Sequence, residues 1–133
     1  AVILTKGNAY GHLVLRGGGG RPNFDTVSIM LAEKALEAAG LDKRIIVDCS
    51  HANSFKNPAL QPFVLRDCVN QRLNGCRSIR GVMLESFIHE GNQKIPADLR
   101  ELKYGVSVTD ACISWETTET ILLETADKLR RRA

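Results

Sequence analysis

The chain has 133 residues, enough for one modest core. It is 44% hydrophobic and 25% charged with a net charge of +3, and no basic run is interleaved with aromatics, which excludes nucleic acid as the expected partner. No apolar run reaches the roughly 18 residues of a membrane span, and Cys49, Cys68, Cys76 and Cys112 form no C-x-x-C pair, so the thiols read as reduced, in a cytoplasmic protein without a secretory leader.

The chain opens on Ala1-Val2-Ile3-Leu4, which reads as the middle of a strand and suggests a piece of a longer protein. Residues 1–16 read as two strands around a turn at Lys6-Gly7-Asn8-Ala9, the second being His12 to Arg16. Gly17-Gly18-Gly19-Gly20 cannot hold regular structure cheaply and reads as a loop. A helix follows from about Asp25 to Ala39, with Asp25 as cap, Gly40 as stop, and Ile29, Ala32, Leu36 and Ala39 on one face.

A strand spans Arg44 to Ser50. A loop with Pro58 and Pro62 leads to a helix from Pro62 to Asn74, with Val64, Cys68 and Val69 in its stripe. Ser78 to Glu85 is the next strand, then a long loop runs to about 108. The last helix, about Ser114 to Arg131, carries Leu122, Ala126 and Leu129 on one side, and Lys128-Leu129-Arg130-Arg131-Arg132 suits a helix C-terminus. Alternating strands and helices predict an α/β fold with a parallel sheet, and the near-continuous apolar strands predict two covered faces.

Polar groups fall at equivalent strand ends. Arg16, His51 and Glu85 follow one another at intervals of 35 and 34 residues, one βα unit each. In a parallel sheet such ends lie side by side, and in a (β/α)₈ barrel they form the catalytic face. His51 and Glu85, with Asp110 from the following loop, offer mixed nitrogen and oxygen ligation for Mn, Fe(II), Co or Zn. Arg16 beside the glycine loop suits a phosphate. Each has a plainer reading: His51 as a hydrogen-bonded structural residue, Glu85 as a solvated strand end, Asp110 as a helix cap, the glycines as a simple turn. Alternation along the strand places Asp48 and Ser50 opposite Cys49 and His51, bonded to the neighbouring helix or loop. Cys49 is either a soft ligand or a packed thiol. His12 and His89 carry no role.

Several segments then add up. His12-Leu-Val-Leu-Arg-Gly-Gly18, Val47-Asp-Cys-Ser-His-Ala-Asn53, Glu85-Ser86 with Glu90-Gly-Asn-Gln93, and Tyr104-Gly-Val-Ser-Val-Thr-Asp-Ala-Cys-Ile113 with Trp115-Glu116 occur in order. Together they resemble the C-terminal part of the type I 3-deoxy-D-arabino-heptulosonate-7-phosphate (DAHP) synthases, over essentially the whole chain. The resemblance implies that residues 1–133 are one partial domain, about the last three βα units of a (β/α)₈ TIM barrel. It implies condensation of phosphoenolpyruvate with erythrose 4-phosphate, the first step of the shikimate route to aromatic amino acids.

By the family pattern His51, Glu85 and Asp110 would ligate one divalent metal, Arg16 would hold the phosphate of phosphoenolpyruvate, and Asp110 would face the aldose phosphate. Arg16 and His51 would be the catalytic residues. The family's fourth ligand, a cysteine, and its Lys-Pro-Arg-Thr segment lie in the missing N-terminal part of the barrel, so this chain alone is expected to be inactive. A homo-oligomer is expected. Phe87 and Gly7-Asn8-Ala9-Tyr10-Gly11-His12 look like the tryptophan-sensitive branch. Residues 1–11 would be a hairpin in the inhibitor-binding extension, with Ile3 a wall residue.

Overall fold

The computed structural model describes residues 2–131. Its centre is a three-stranded parallel sheet in the order β1-β2-β3: β1 is Leu13–Leu15, β2 Ile45–Asp48 and β3 Ile79–Met83. Leu13 lies opposite Ile45 and Ile45 opposite Ile79, with a register shift before Ile46 meets Gly81. An ideal Cβ on Gly81 would come within 3.1 Å of Ile46 Cδ1, so the irregularity sits where the strands approach closely.

Helix α1, Thr26–Ala38, connects β1 to β2, and α2, Gln61–Leu73, connects β2 to β3. Asp25 caps α1 by accepting from the N–H groups of Val27 and Ser28. The Ser28 hydroxyl, with these N–H groups, holds the Asp25 carboxyl below its usual range. Ile29 anchors α1 in the core with Leu36 and Ala32 half-buried beside it, but Ala39 is exposed. From α2, Val64, Leu65, Cys68 and Val69 pack on Ile45, Val47 and Ile79.

A two-stranded parallel pair follows: β4, Ser86–Phe87, lies beside β5, Ile113–Ser114. The segment between them was expected as a plain loop; it also carries a 3-10 turn at Leu99–Glu101 and is tied back by Gly91 to Cys112. Helix α3, Trp115–Arg130, is capped by Ser114. It buries Thr118 and Ile121, while Leu122 and Leu129 of the expected stripe are exposed. The buried face is rotated from the expected one: Ile121 is the large apolar side chain of α3 in the core, and Arg66–Glu124 and Lys128–Asn70 tie the helix to α2. Arg132 of the expected basic helix end lies outside the described residues.

The N-terminal hairpin is not formed. Residues 2–12 hold no strand; the order in this stretch is a turn in which Tyr10 N–H donates to Asn8 Oδ1 at 2.9 Å. Val2, Ile3 and Leu4 are exposed, with no neighbouring strand to pair with. Ala1, which belonged to that expectation, lies outside the described residues.

The accessible surface is 9412 Å² for a 14.6 kDa chain. A compact monomer of that mass exposes about 6900 Å², and the excess, about 2500 Å², is the size of a permanent interface. Part of it is a groove of about 700 Å³ under α2, β3 and α3, floored by Leu65, Val69, Ile79 and Val82. The outer edges of β1 and β3 and the exposed segment 2–12 contribute to it as well. The 133-residue chain alone is therefore expected to self-associate or to be unfolded in sedimentation-velocity and circular-dichroism measurements. A stable, folded monomer would contradict this.

Candidate metal and phosphate site

The strand β2 stops at Asp48, and the chain then turns sharply. Ser50 is extended; His51 is in the left-handed region at φ 49, and a short 3-10 helix runs from His51 to Ser54. One buried amide ties this turn to the sheet. Asn53 Nδ2 donates to Leu15 O at 3.0 Å and to Asp48 O at 2.8 Å, the last carbonyls of β1 and β2. Its Oδ1 accepts from Asn23 N–H at 2.7 Å, and Asn23 Oδ1 accepts from Gly17 N–H at 2.7 Å. The glycine loop is thereby pressed onto the turn. Gly17 has φ 73, and a Cβ there would sit 2.7 Å from Ala52 Cβ and 2.8 Å from Arg21 O. Glycine is required at this position both by backbone conformation and by space.

His51 is oriented from behind. Its Nδ1 lies 2.7 Å from Asp48 Oδ2, and Asp48 is buried. A carboxylate at Nδ1 accepts that ring proton and leaves the Nε2 lone pair facing the other way. On that side Nε2 stands 3.6 Å from Glu85 Oε1 and 3.7 Å from Asp110 Oδ2.

Glu85 is held at both ends. The buried Gln61 side chain accepts from Glu85 N–H at 2.8 Å and donates to Glu85 O at 3.1 Å. The Ser50 hydroxyl donates to Glu85 Oε2 at 2.5 Å. Asp110 comes from the exposed loop before β5. It does not cap α3, since Ser114 does so. Between these groups lies a pocket of about 20 Å³, lined by Ser50, His51, Lys56, Glu85, Asp110 and Ala111. That is room for one water or ion.

The donor set suits a divalent cation. Bonds of about 2.0–2.2 Å to an ion place its ligand atoms about 3.0–3.5 Å apart, close to the Nε2–oxygen distances found. Donor atoms of His51, Glu85 and Asp110 all lie within 4.8 Å of one another. One imidazole nitrogen with two carboxylates matches Mn, Fe(II), Co or Zn better than Ca or Mg.

The sequence expectations divide here. The structure brings His51, Glu85 and Asp110 together. Arg16 is exposed just past β1, with no side-chain hydrogen bond or ion pair among the described residues. Asp48 and Ser50 do bond to the neighbouring short helix and loop, Asp48 to His51 Nδ1 and Ser50 to Glu85 just past β3, but they act on the same side as His51 rather than opposite it. The period-2 alternation that separated them ends with the strand at Asp48, and the positive φ at His51 turns its ring back. Cys49 is buried against Cys68 and away from the site. Its thiol is pushed well up by the hydrogen bond with Cys68 and by burial. Burial likewise pushes up Cys112. Asn53, Asn23, Gln61 and Lys56 were not anticipated. Polar amides at a strand end and at a helix start carried a signal only in retrospect, because each acts on backbone brought close by the fold.

The model of the DAHP synthetase I family matches residues 1–123. The chain belongs to this family. It is 51% identical over 124 residues to the "Phospho-2-dehydro-3-deoxyheptonate aldolase, Tyr-sensitive" of Salmonella typhimurium, covering 93% of this chain and 35% of that protein. It is 47% identical over 138 residues to the phenylalanine-inhibited namesake in Saccharomyces cerevisiae, covering 99% and 37%. The structure of the Francisella tularensis phospho-2-dehydro-3-deoxyheptonate aldolase superposes with a TM-score of 0.89 at 38% identity, over 100% of this chain and 38% of that one. The chain thus spans about a third of the length of these DAHP synthetase I relatives. Their names carry tyrosine and phenylalanine, which gives the tryptophan-sensitive expectation no support. No helix among the described residues is long and apolar enough to cross a membrane.

Two substitutions test this geometry in the full-length protein. Asp48→Asn should weaken Mn²⁺ binding about 10- to 100-fold in calorimetric titration, because an amide facing Nδ1 no longer fixes the tautomer; unchanged affinity would contradict the orienting role. Gly17→Ala should lower stability by about 2 kcal/mol or more through positive φ and overlap with Ala52. A urea midpoint within error of the parent would show that the loop can give way.

Proposed function

We propose that this chain is the metal-binding C-terminal part of a DAHP synthase. The full protein would condense phosphoenolpyruvate with erythrose 4-phosphate, releasing phosphate, at the entry of the shikimate pathway. The observation that carries the reading is the group formed by His51, Glu85 and Asp110, with Asp48 behind the imidazole. Family membership and the names of the relatives support the reaction. The parallel order β1-β2-β3, with the site at the carboxyl ends of the strands, supports the last three units of a TIM barrel.

His51, Glu85 and Asp110 would hold one divalent ion, which when bound supplies Lewis-acid polarisation of the aldehyde. The chain's own residues do the rest. Asp48 keeps the His51 proton on Nδ1 and Nε2 available. Ser50 and Gln61 fix the Glu85 carboxylate. Arg16, solvent-facing beside the glycine loop, takes the phosphate of phosphoenolpyruvate through its guanidinium fork, neutralising charge as the enol carbon approaches the aldehyde. Asp110, the most exposed of the three, faces the aldose phosphate. The remaining phosphate contacts and a fourth ligand come from the N-terminal part of the barrel.

Ile3, 81% exposed, offers one wall of an inhibitor pocket completed by residues outside 1–133. The same N-terminal part, or a second copy in a homo-oligomer, would cover the surplus apolar surface. A contrasting reading, an inactive fragment with a partial site, is favoured for the 133-residue chain alone by its open sheet edges.

The test is phosphoenolpyruvate consumption by the full-length protein with Mn²⁺, with and without erythrose 4-phosphate. Turnover should require both the ion and the aldose phosphate, and His51→Ala should lower it at least about 1000-fold with loss of bound metal. Normal metal content and activity in His51→Ala would remove His51 from the ligand set.

A further inference from the structure

The same pocket holds one side chain that the proposed metal set does not use. Lys56 lines it beside Ser50, His51, Glu85 and Asp110. It is exposed, and its ammonium has no hydrogen bond or ion pair among the described residues. Its placement is built rather than incidental. The backbone N–H of Lys56 donates to His51 O at 2.7 Å, which closes the turn and brings Lys56 to the lining of the pocket.

The turn is also the one place among the described residues where non-glycine residues adopt positive φ: His51 at 49, Phe55 at 52 and Lys56 at 59. Such conformations are disfavoured for L-residues and persist where surrounding structure fixes them, most often at ligand clamps and active sites. Asn57 locks the exit, donating its N–H to Ser54 O at 2.9 Å and accepting from Ala59 N–H at 3.1 Å.

Charge gives Lys56 its task. Asp48, Glu85 and Asp110 bring three negative charges around His51, and a divalent ion returns two. A phosphorylated substrate arriving there adds further negative charge. Arg16, assigned above to phosphoenolpyruvate, does not line this pocket; among the pocket's lining residues Lys56 is the one cationic side chain that can offset the repulsion from the carboxylates.

Resting on the metal reading above, we propose that Lys56 is a substrate-binding residue, its ammonium contacting a phosphate ester docked at the mouth of the His51–Glu85–Asp110 pocket. The contact is a point-charge one, suited to a flexible amine rather than a bidentate fork. It offsets the carboxylates on the side from which the ester arrives.

The test uses the full-length protein and its Lys56→Met and Lys56→Arg variants. Calorimetric titration with Mn²⁺ alone reads the metal site. Titration with phosphoenolpyruvate, erythrose 4-phosphate and inorganic phosphate, each with Mn²⁺ and with chelator, reads the anion contact and which ester makes it. The expected result is Mn²⁺ affinity within about twofold of the parent in both variants. Affinity for one ester should fall at least about tenfold in Lys56→Met and be largely restored in Lys56→Arg, with a weaker salt dependence in Lys56→Met.

Equal ester affinities in parent and Lys56→Met would overturn the proposal, as would a Lys56→Met defect confined to Mn²⁺. Failure of the parent to bind Mn²⁺ would instead defeat the metal reading. A Lys56-dependent loss of ester binding in chelator would still uphold the contact.

Discussion

The hydrogen bond between His51 Nδ1 and Asp48 Oδ2 is the constraint on which the rest of the site turns. It joins the last residue of a central strand to the first residue of a 3-10 turn, and it does so in a buried setting where an unpartnered carboxylate would be costly. Because Asp48 occupies one face of the imidazole, the other nitrogen has one direction left, toward Glu85 and Asp110. Two carboxylates facing that nitrogen call for a positive charge among them, carried by a proton on Nε2 or, in the proposed function, by a bound metal ion. The geometry is therefore that of a site organised around a positive charge.

The supports of that bond come from separate parts of the chain. Asn53 spans the ends of β1 and β2, Asn23 carries the connection on to the glycine loop, and Gln61 grips the backbone of Glu85 from the start of α2. Each uses a side-chain amide to satisfy backbone groups that the sheet leaves open where strands end. This explains why Asp48, Ser50, Asn53 and Gln61 are buried at the carboxyl end of the sheet while Ile45, Val47, Val64 and Leu65 fill its middle. It also explains why the site can be well formed although the sheet has two unpaired outer edges. The ties run between β1, β2, β3 and the turns that follow them, so no strand outside this chain is needed to place His51 against Glu85.

Much of this was legible in the sequence, for physical reasons that can be stated. The three parallel strands and their connecting helices follow from apolar runs and the Asp25 and Gly40 helix signals, and they lie within a residue or two of expectation. Equal spacing of strand ends pointed to His51 and Glu85. Four things were not legible. The N-terminal segment is a good strand by composition but has no partner within reach, and β structure is a property of pairs. The face of α3 was misjudged because Leu122 and Leu129 are as apolar as Ile121, and tertiary packing chose between them. The side of the sheet on which Asp48 and Ser50 act was misread because alternation holds only while the strand lasts, and this one stops at Asp48. Positive φ at His51, Phe55 and Lys56 has no composition signal, since none of them is glycine or asparagine.

The central claim is that one divalent ion sits between His51 Nε2, Glu85 and Asp110, with Asp48 behind. It is tested most directly by anomalous diffraction from crystals of the full-length protein grown with Mn²⁺. The account predicts one strong anomalous peak about 2.0–2.3 Å from His51 Nε2 and from a carboxylate oxygen of both Glu85 and Asp110. A peak elsewhere, or a map in which His51 Nε2 donates a hydrogen bond to Glu85 or Asp110 with no ion between them at saturating Mn²⁺, would contradict it.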